Sequence, residues 1–69
     1  MIKVMLRRYD EETGNPIAEI PPEETDEFIK GLEKMNYRIL DKDNTTELRV
    51  KKVRYKFTPD NDFVLDLEY

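Results

Sequence analysis

The chain has 69 residues, 16 acidic and 12 basic side chains, a net charge of −4, and neither cysteine nor histidine. That length supports one small domain, burying about 60 % of the unfolded surface and holding roughly 3–5 kcal/mol of net stability. Ser, Gln and Trp are missing too, so disulfides, the commonest general base and the usual nucleophiles are excluded, and metal binding would rest on oxygen ligands alone. The expectation is a protein that is not an enzyme and holds no cofactor or metal.

Ile2, Val4 and Leu6 alternate with Lys3, Met5 and Arg7, the period of a half-buried strand running to about Tyr9. Asp10-Glu11-Glu12-Thr13-Gly14-Asn15 reads as a turn in which Gly14 is able to take a left-handed conformation. A short second strand follows from Ile17 to Ile20. Pro16 before it and Pro21-Pro22 after it remove ladder donors, which predicts an edge strand. The pattern leaves the register of this first hairpin open.

Pro21 or Pro22 opens a helix, where a missing N–H costs nothing. Glu23, Glu24, Asp26 and Glu27 crowd its first turns, favoured by the helix dipole. Thr25, Phe28, Ile29, Leu32 and Met35 recur at spacings of three and four and form one apolar stripe. Gly31, near the edge of that stripe, weakens the helix or permits close approach to the sheet. Asn36 is placed to cap the C-terminus.

Tyr37 to Asp41 reads as a third strand, Lys42 to Thr45 as a polar turn, and Thr46 to Phe57 as a fourth strand. Pairing Asp41 with Thr46 sets Ile39 against Leu48, Tyr37 against Val50 and Arg38 against Arg49. The apolar phase slips at Lys51-Lys52, which predicts a β-bulge or strong bend. Thr58 to Asp62 then turns the chain into a fifth strand from Phe63 to Tyr69. Pairing Phe57 with Phe63 aligns Tyr55 with Leu65 and Val53 with Leu67 on one face, expected to be the core face. The other face receives Arg54 opposite Asp66 and Lys52 opposite Glu68, two favourable charge pairs. The fold class is α+β, in the order ββαβββ: one helix packed on an antiparallel five-stranded sheet, with strands three to five as a meander.

Charge is unevenly distributed. Between Arg8 and Lys30 lie eight carboxylates and no cation, whereas Arg49 to Lys56 holds five cations and no acid. The acidic half suggests a contiguous patch of Asp10, Glu11, Glu12, Glu23, Glu24, Asp26 and Glu27 that docks a basic surface, standing in for the phosphates of DNA. The plainer account is a solvated turn followed by a helix start that favours acids. Arg38, Arg49 and Lys51, left over after pairing, offer the alternative of a small RNA- or DNA-binding site, set against twist splaying them into solvent. Asp41 to Glu47 has the outline of a calcium loop. It lacks the glycine at the sixth position and carries Lys52 where the closing Glu belongs, so turn chemistry explains it. Phe63 to Tyr69, if an outer strand, would offer an edge for homodimer pairing.

The first eight residues lack the long apolar stretch of a signal peptide, and no apolar run exceeds three residues. The expectation is a chain that spans no membrane and suits a reducing cytoplasm. In size, in lacking Cys and His, in its acidic stretch Asp10–Glu27 and in its α+β outline, the chain resembles the small early proteins with which large bacteriophages take over their hosts. The resemblance implies a non-enzymatic inhibitor in the host cytoplasm that binds a host protein, sometimes by imitating nucleic acid.

Overall fold

A computed structural model describes residues 1–40, 45–60 and 62–69. Six strands and one helix follow in the order β1 (Ile2–Arg7), β2 (Asn15–Ile20), α1 (Thr25–Lys34), β3 (Arg38–Leu40), β4 (Glu47–Arg49), β5 (Lys52–Phe57) and β6 (Phe63–Glu68). A single 3-10 turn, Pro22–Glu24, leads into α1. The Thr25 hydroxyl donates back to the Pro22 carbonyl at 2.8 Å, fixing the entry to the helix.

The fold is α+β with one helix, but the strands form two sheets instead of the expected five-stranded one. Four strands make a mixed sheet in the order β2-β1-β6-β5, while β3 and β4 form a separate two-stranded ribbon. The predicted fourth strand is broken because its two halves serve different partners. The Val50 N–H donates to the Tyr37 carbonyl, continuing the ribbon, and the Lys51 N–H donates to the Glu68 carbonyl, opening the β5–β6 ladder. Val50 itself is buried at the switch. The phase slip at Lys51-Lys52 therefore marks a change of sheet, a larger event than a bulge.

The second correction concerns β6. It lies inside the sheet, pairing β5 antiparallel and β1 parallel, with Val4 beside Leu65 and Leu6 beside Leu67. The N–H of Tyr69 donates to the Arg7 carbonyl and the N–H of Tyr9 to the Tyr69 carbonyl, extending that pairing by two bonds. A strand paired on both sides offers no edge, so homodimer pairing through Phe63–Tyr69 is closed. The outer strands are β5 and, as its prolines predict, β2.

Within the hairpins the predicted registers stand. Lys52 faces Glu68, Val53 faces Leu67, Tyr55 faces Leu65 and Phe57 faces Phe63. Arg38 faces Arg49 and Ile39 faces Leu48. In the first hairpin Val4 pairs Ala18 but Met5 pairs Pro16, leaving Ile17 as the extra residue of a β-bulge. Gly14 does not take a positive φ. Its role is spatial: a Cβ there would lie 2.7 Å from the Leu6 carbonyl oxygen and 2.9 Å from the Arg7 Cβ.

One face of the sheet carries the core. Ile2, Val4 and Leu6 of β1 and Leu65 and Leu67 of β6 pack with Leu32 of α1 and with Val50, while Phe28, Ile39, Leu48 and Val53 close around them. The helix ends in a Schellman arrangement: the Tyr37 N–H donates to the Leu32 carbonyl and the Asn36 N–H to the Glu33 carbonyl. Asn36 takes the left-handed conformation expected of a cap, and Tyr37 takes it as well, at φ 59°. Met35, placed in the apolar stripe by its spacing, ends up exposed at this corner.

Candidate functional site

The acidic charge of β6, on the face of the sheet opposite the helix, is consumed by the fold. Arg7 is the centre. Its Nε and Nη2 donate to the two carboxylate oxygens of Asp66, both at 3.2 Å, and Nη2 also reaches Glu68 Oε1 at 2.8 Å. Its Nη1 donates to the Glu11 carbonyl at 2.8 Å. Arg7 is only 8 % exposed and Asp66 3 %, yet no buried side-chain polar atom among the described residues lacks a partner. Arg54 approaches Glu68 and Lys56 approaches Asp66, each at 3.4 Å. The hydrogen bond from Arg7 holds the Glu68 carboxyl below the usual carboxylate range despite burial, with Lys52 and Arg54 adding to the effect. The same two acids raise the already high pKa of Arg7.

This network differs from the pairs expected. Arg54 is aligned with Asp66, but its ion pair is displaced diagonally to Glu68, because Arg7 takes Asp66 from the opposite strand. Arg7 sits 59 residues from Asp66 in sequence, and only the parallel β1–β6 pairing joins them. Two acids alternating along one face of the fifth strand were the sole sign that a second cation was needed.

The predicted acidic residues fall into two groups. Asn15 pairs with Leu6 and Ile20 with Ile2, so Asp10–Glu12 and Glu23–Glu27 lie beyond opposite ends of β2, a strand of six residues and roughly 20 Å. They do not form one continuous patch. The first group lives among cations. Asp10 pairs with Arg8 at 2.9 Å, the Glu11 carbonyl is held by Arg7, and Glu12 shares a cleft with Arg7 and Lys56. The second group does not. Glu23, Glu24, Asp26 and Glu27 are all exposed, and among the described residues none has a cation within 4.0 Å.

Beside those helix acids the surface turns apolar in two places. A groove of about 280 Å³ runs along α1, floored by Phe28, Gly31 and Leu32 and bounded by Ile17, Met35 and Ile39, with Glu27 on its rim. The bulge in β2 is what brings Ile17 to this side. The second place is on the helix-bearing face of the sheet, where Tyr55, Phe57 and Phe63 are 47, 68 and 40 % exposed instead of buried as expected. Phe57 and Phe63 meet edge to face at 4.6 Å between centroids, and Tyr55 and Phe63 lie 5.2 Å apart, tilted. Leu32 of α1, with Phe28 beside it, packs over the side chains of β1 and β6. The rings at the far edge therefore remain open.

Of the basic candidates, the ribbon register brings Arg38 and Arg49 opposite each other, as predicted. Arg38 has a loose contact with Glu47 at 3.8 Å, and both side chains are exposed. Lys51 turns elsewhere, its ammonium 5.7 Å from the Tyr9 ring centroid in a cation–π contact. The structure thus joins two of the three. The exposed rings cannot complement them, since β5 separates Lys51 from Phe57 along its whole length. Most of the calcium-like segment, residues 41–44, lies outside the described residues, as does the Asp41–Thr46 pairing. No cluster of three or more potential metal ligands occurs among the described residues, and none of their helices is long and apolar enough to cross a membrane. Comparison with protein-family models, curated proteins and solved structures finds no match.

Proposed function

We propose that this chain is a small non-enzymatic protein-binding module that docks a basic partner surface through the acidic start of α1, in the manner of a host-directed phage inhibitor or adaptor. The observation that carries the reading is the contrast in charge neutralisation. The carboxylates of β6 are saturated by Arg7, Arg54 and Lys56, whereas Glu23, Glu24, Asp26 and Glu27 are exposed and, among the described residues, unpaired. Unpaired charge of one sign, next to exposed apolar side chains, suits a partner with basic residues around an apolar anchor. The narrowing from seven acids to four follows from the cations already beside Asp10, Glu11 and Glu12.

The test is affinity capture from a nuclease-treated bacterial lysate, run in parallel with the wild type and with Glu23→Lys/Glu24→Lys/Asp26→Lys. The expected outcome is a protein retained by the wild type, released by salt and lost with the triple variant. Equal capture by both sinks the proposal. Nucleic acid recovered from an untreated lysate, and lost on Arg38→Glu/Arg49→Glu, would instead favour the binding of RNA or DNA by the ribbon.

A further inference from the structure

Gly31 sits in the interior of α1, where glycine is the poorest helix former after proline. Nothing among the described residues requires it. Its φ is not positive, and a Cβ added there would meet no atom within 4 Å. The residue nonetheless lies on the floor of the apolar groove, between Phe28 and Leu32, with Met35 and Ile17 on the walls. A missing side chain on an open apolar helix face lets another backbone approach closely. Whatever uses that approach comes from outside the fold.

The charges along the helix identify it. Before Gly31 the exposed charges are Glu23 and Glu24 of the 3-10 turn and Asp26, Glu27 and Lys30 of α1; after it the helix carries Glu33 and Lys34. Acids thus predominate before Gly31, and the helix offers a cation, Lys34, one turn after it. Two such helices laid antiparallel about a two-fold axis at Gly31 bring the residues one turn before the axis on one copy beside those one turn after it on the other. Glu27, one turn before the axis, then meets Lys34 of the second copy, one turn after it, and the contact occurs twice. The apolar residues follow the same rule, with Met35 of each copy entering beside Phe28 of the other. A parallel arrangement would set acid on acid. We propose that the groove over Gly31 is a self-association surface, and that the protein forms a two-fold dimer through antiparallel packing of α1. Glu23 and Glu24, in the 3-10 turn ahead of α1, and Asp26, on another side of the helix, remain available to a basic partner at both ends of such a dimer.

The experiment is a charge-swap series followed by sedimentation equilibrium at low salt. The wild type is expected to be dimeric, and Glu27→Lys and Lys34→Glu each monomeric, since each variant alone opposes like charges at both contacts. Mixed in equal amounts, the two variants carry complementary charges at both contacts and are expected to form a heterodimer. Gly31→Leu, which obstructs the close approach, should raise the dimer dissociation constant by on the order of tenfold or more. Circular dichroism of each variant verifies that α1 is retained. A wild type that stays monomeric at its highest soluble concentration overturns the proposal. So does a mixture that stays monomeric, or a Gly31→Leu protein that dimerises as well as the wild type.

Discussion

The two central strands β1 and β6 and the helix α1 handle charge in opposite ways. On the sheet, an arginine reaching across from β1 is bound to two carboxylates of β6, and cations from β5 close the outer side. On α1, exposed carboxylates have no cation within 4.0 Å among the described residues. The difference teaches that the same residue types do unrelated work a few ångströms apart. Burial forces the sheet charges to be paired, because an unpaired ion there is strongly destabilising. Exposure leaves the helix charges unconstrained, so the fold does not need them where they are. Functional freedom in this molecule lies where electrostatic obligation ends.

That comparison can be broken at several points. The largest effect is expected from Arg7→Met, which withdraws the donor shared by Asp66 and Glu68 and unties the Glu11 carbonyl. Because the whole domain holds only roughly 3–5 kcal/mol, this variant should show a substantial unfolded population at neutral pH. The pH dependence has a definite sign. Glu68 titrates below its ordinary value of 4.5 when folded, so its contribution is present above that value and is lost as the pH falls through the lowered folded value. Urea midpoints of wild type and Arg7→Met should therefore differ most near neutrality and converge in acid. A gap that widens in acid would contradict the network.

Gly14→Ala is expected to rank second. The added methyl meets the Leu6 carbonyl oxygen, which belongs to a central strand and cannot yield, for a loss of about 1–3 kcal/mol measured by denaturant unfolding. Gly31→Ala should be the smallest effect and opposite in sign. With open space above it, the methyl should raise helix stability by up to about 1 kcal/mol. Two glycines of one chain would thus respond in opposite directions, and equal losses at both would erase the distinction between a glycine the fold needs and one it does not.

The registers of the β5–β6 and β3–β4 hairpins were legible because a turn and a period-2 pattern pin them locally. Phe57 opposite Phe63 and Arg38 opposite Arg49 both follow from short-range rules. The β1–β6 pairing was not legible, since parallel strands from opposite ends of the chain share no turn that would fix their alignment. Without that pairing, Arg7 had no visible partners and Asp66 was assigned to Arg54. The inward rings were misjudged for a related reason. Alternation tells which face Tyr55 and Phe57 occupy but not how far the helix reaches over that face. For the acids, spacing along the chain suggested one patch, and only the β1–β2 register revealed that β2 holds the two groups apart.

The placement of β1 beside β6 has a kinetic consequence. The contact between Arg7 and Tyr69 closes a loop of nearly the whole chain, and its entropy is lost before the core strands reward it. Until β6 docks, the first hairpin and α1 have their apolar face bare, because the centre of the sheet is completed only by that strand. The chain is then a half-sheet lacking its middle strand, and that interval is when it is most exposed to aggregation.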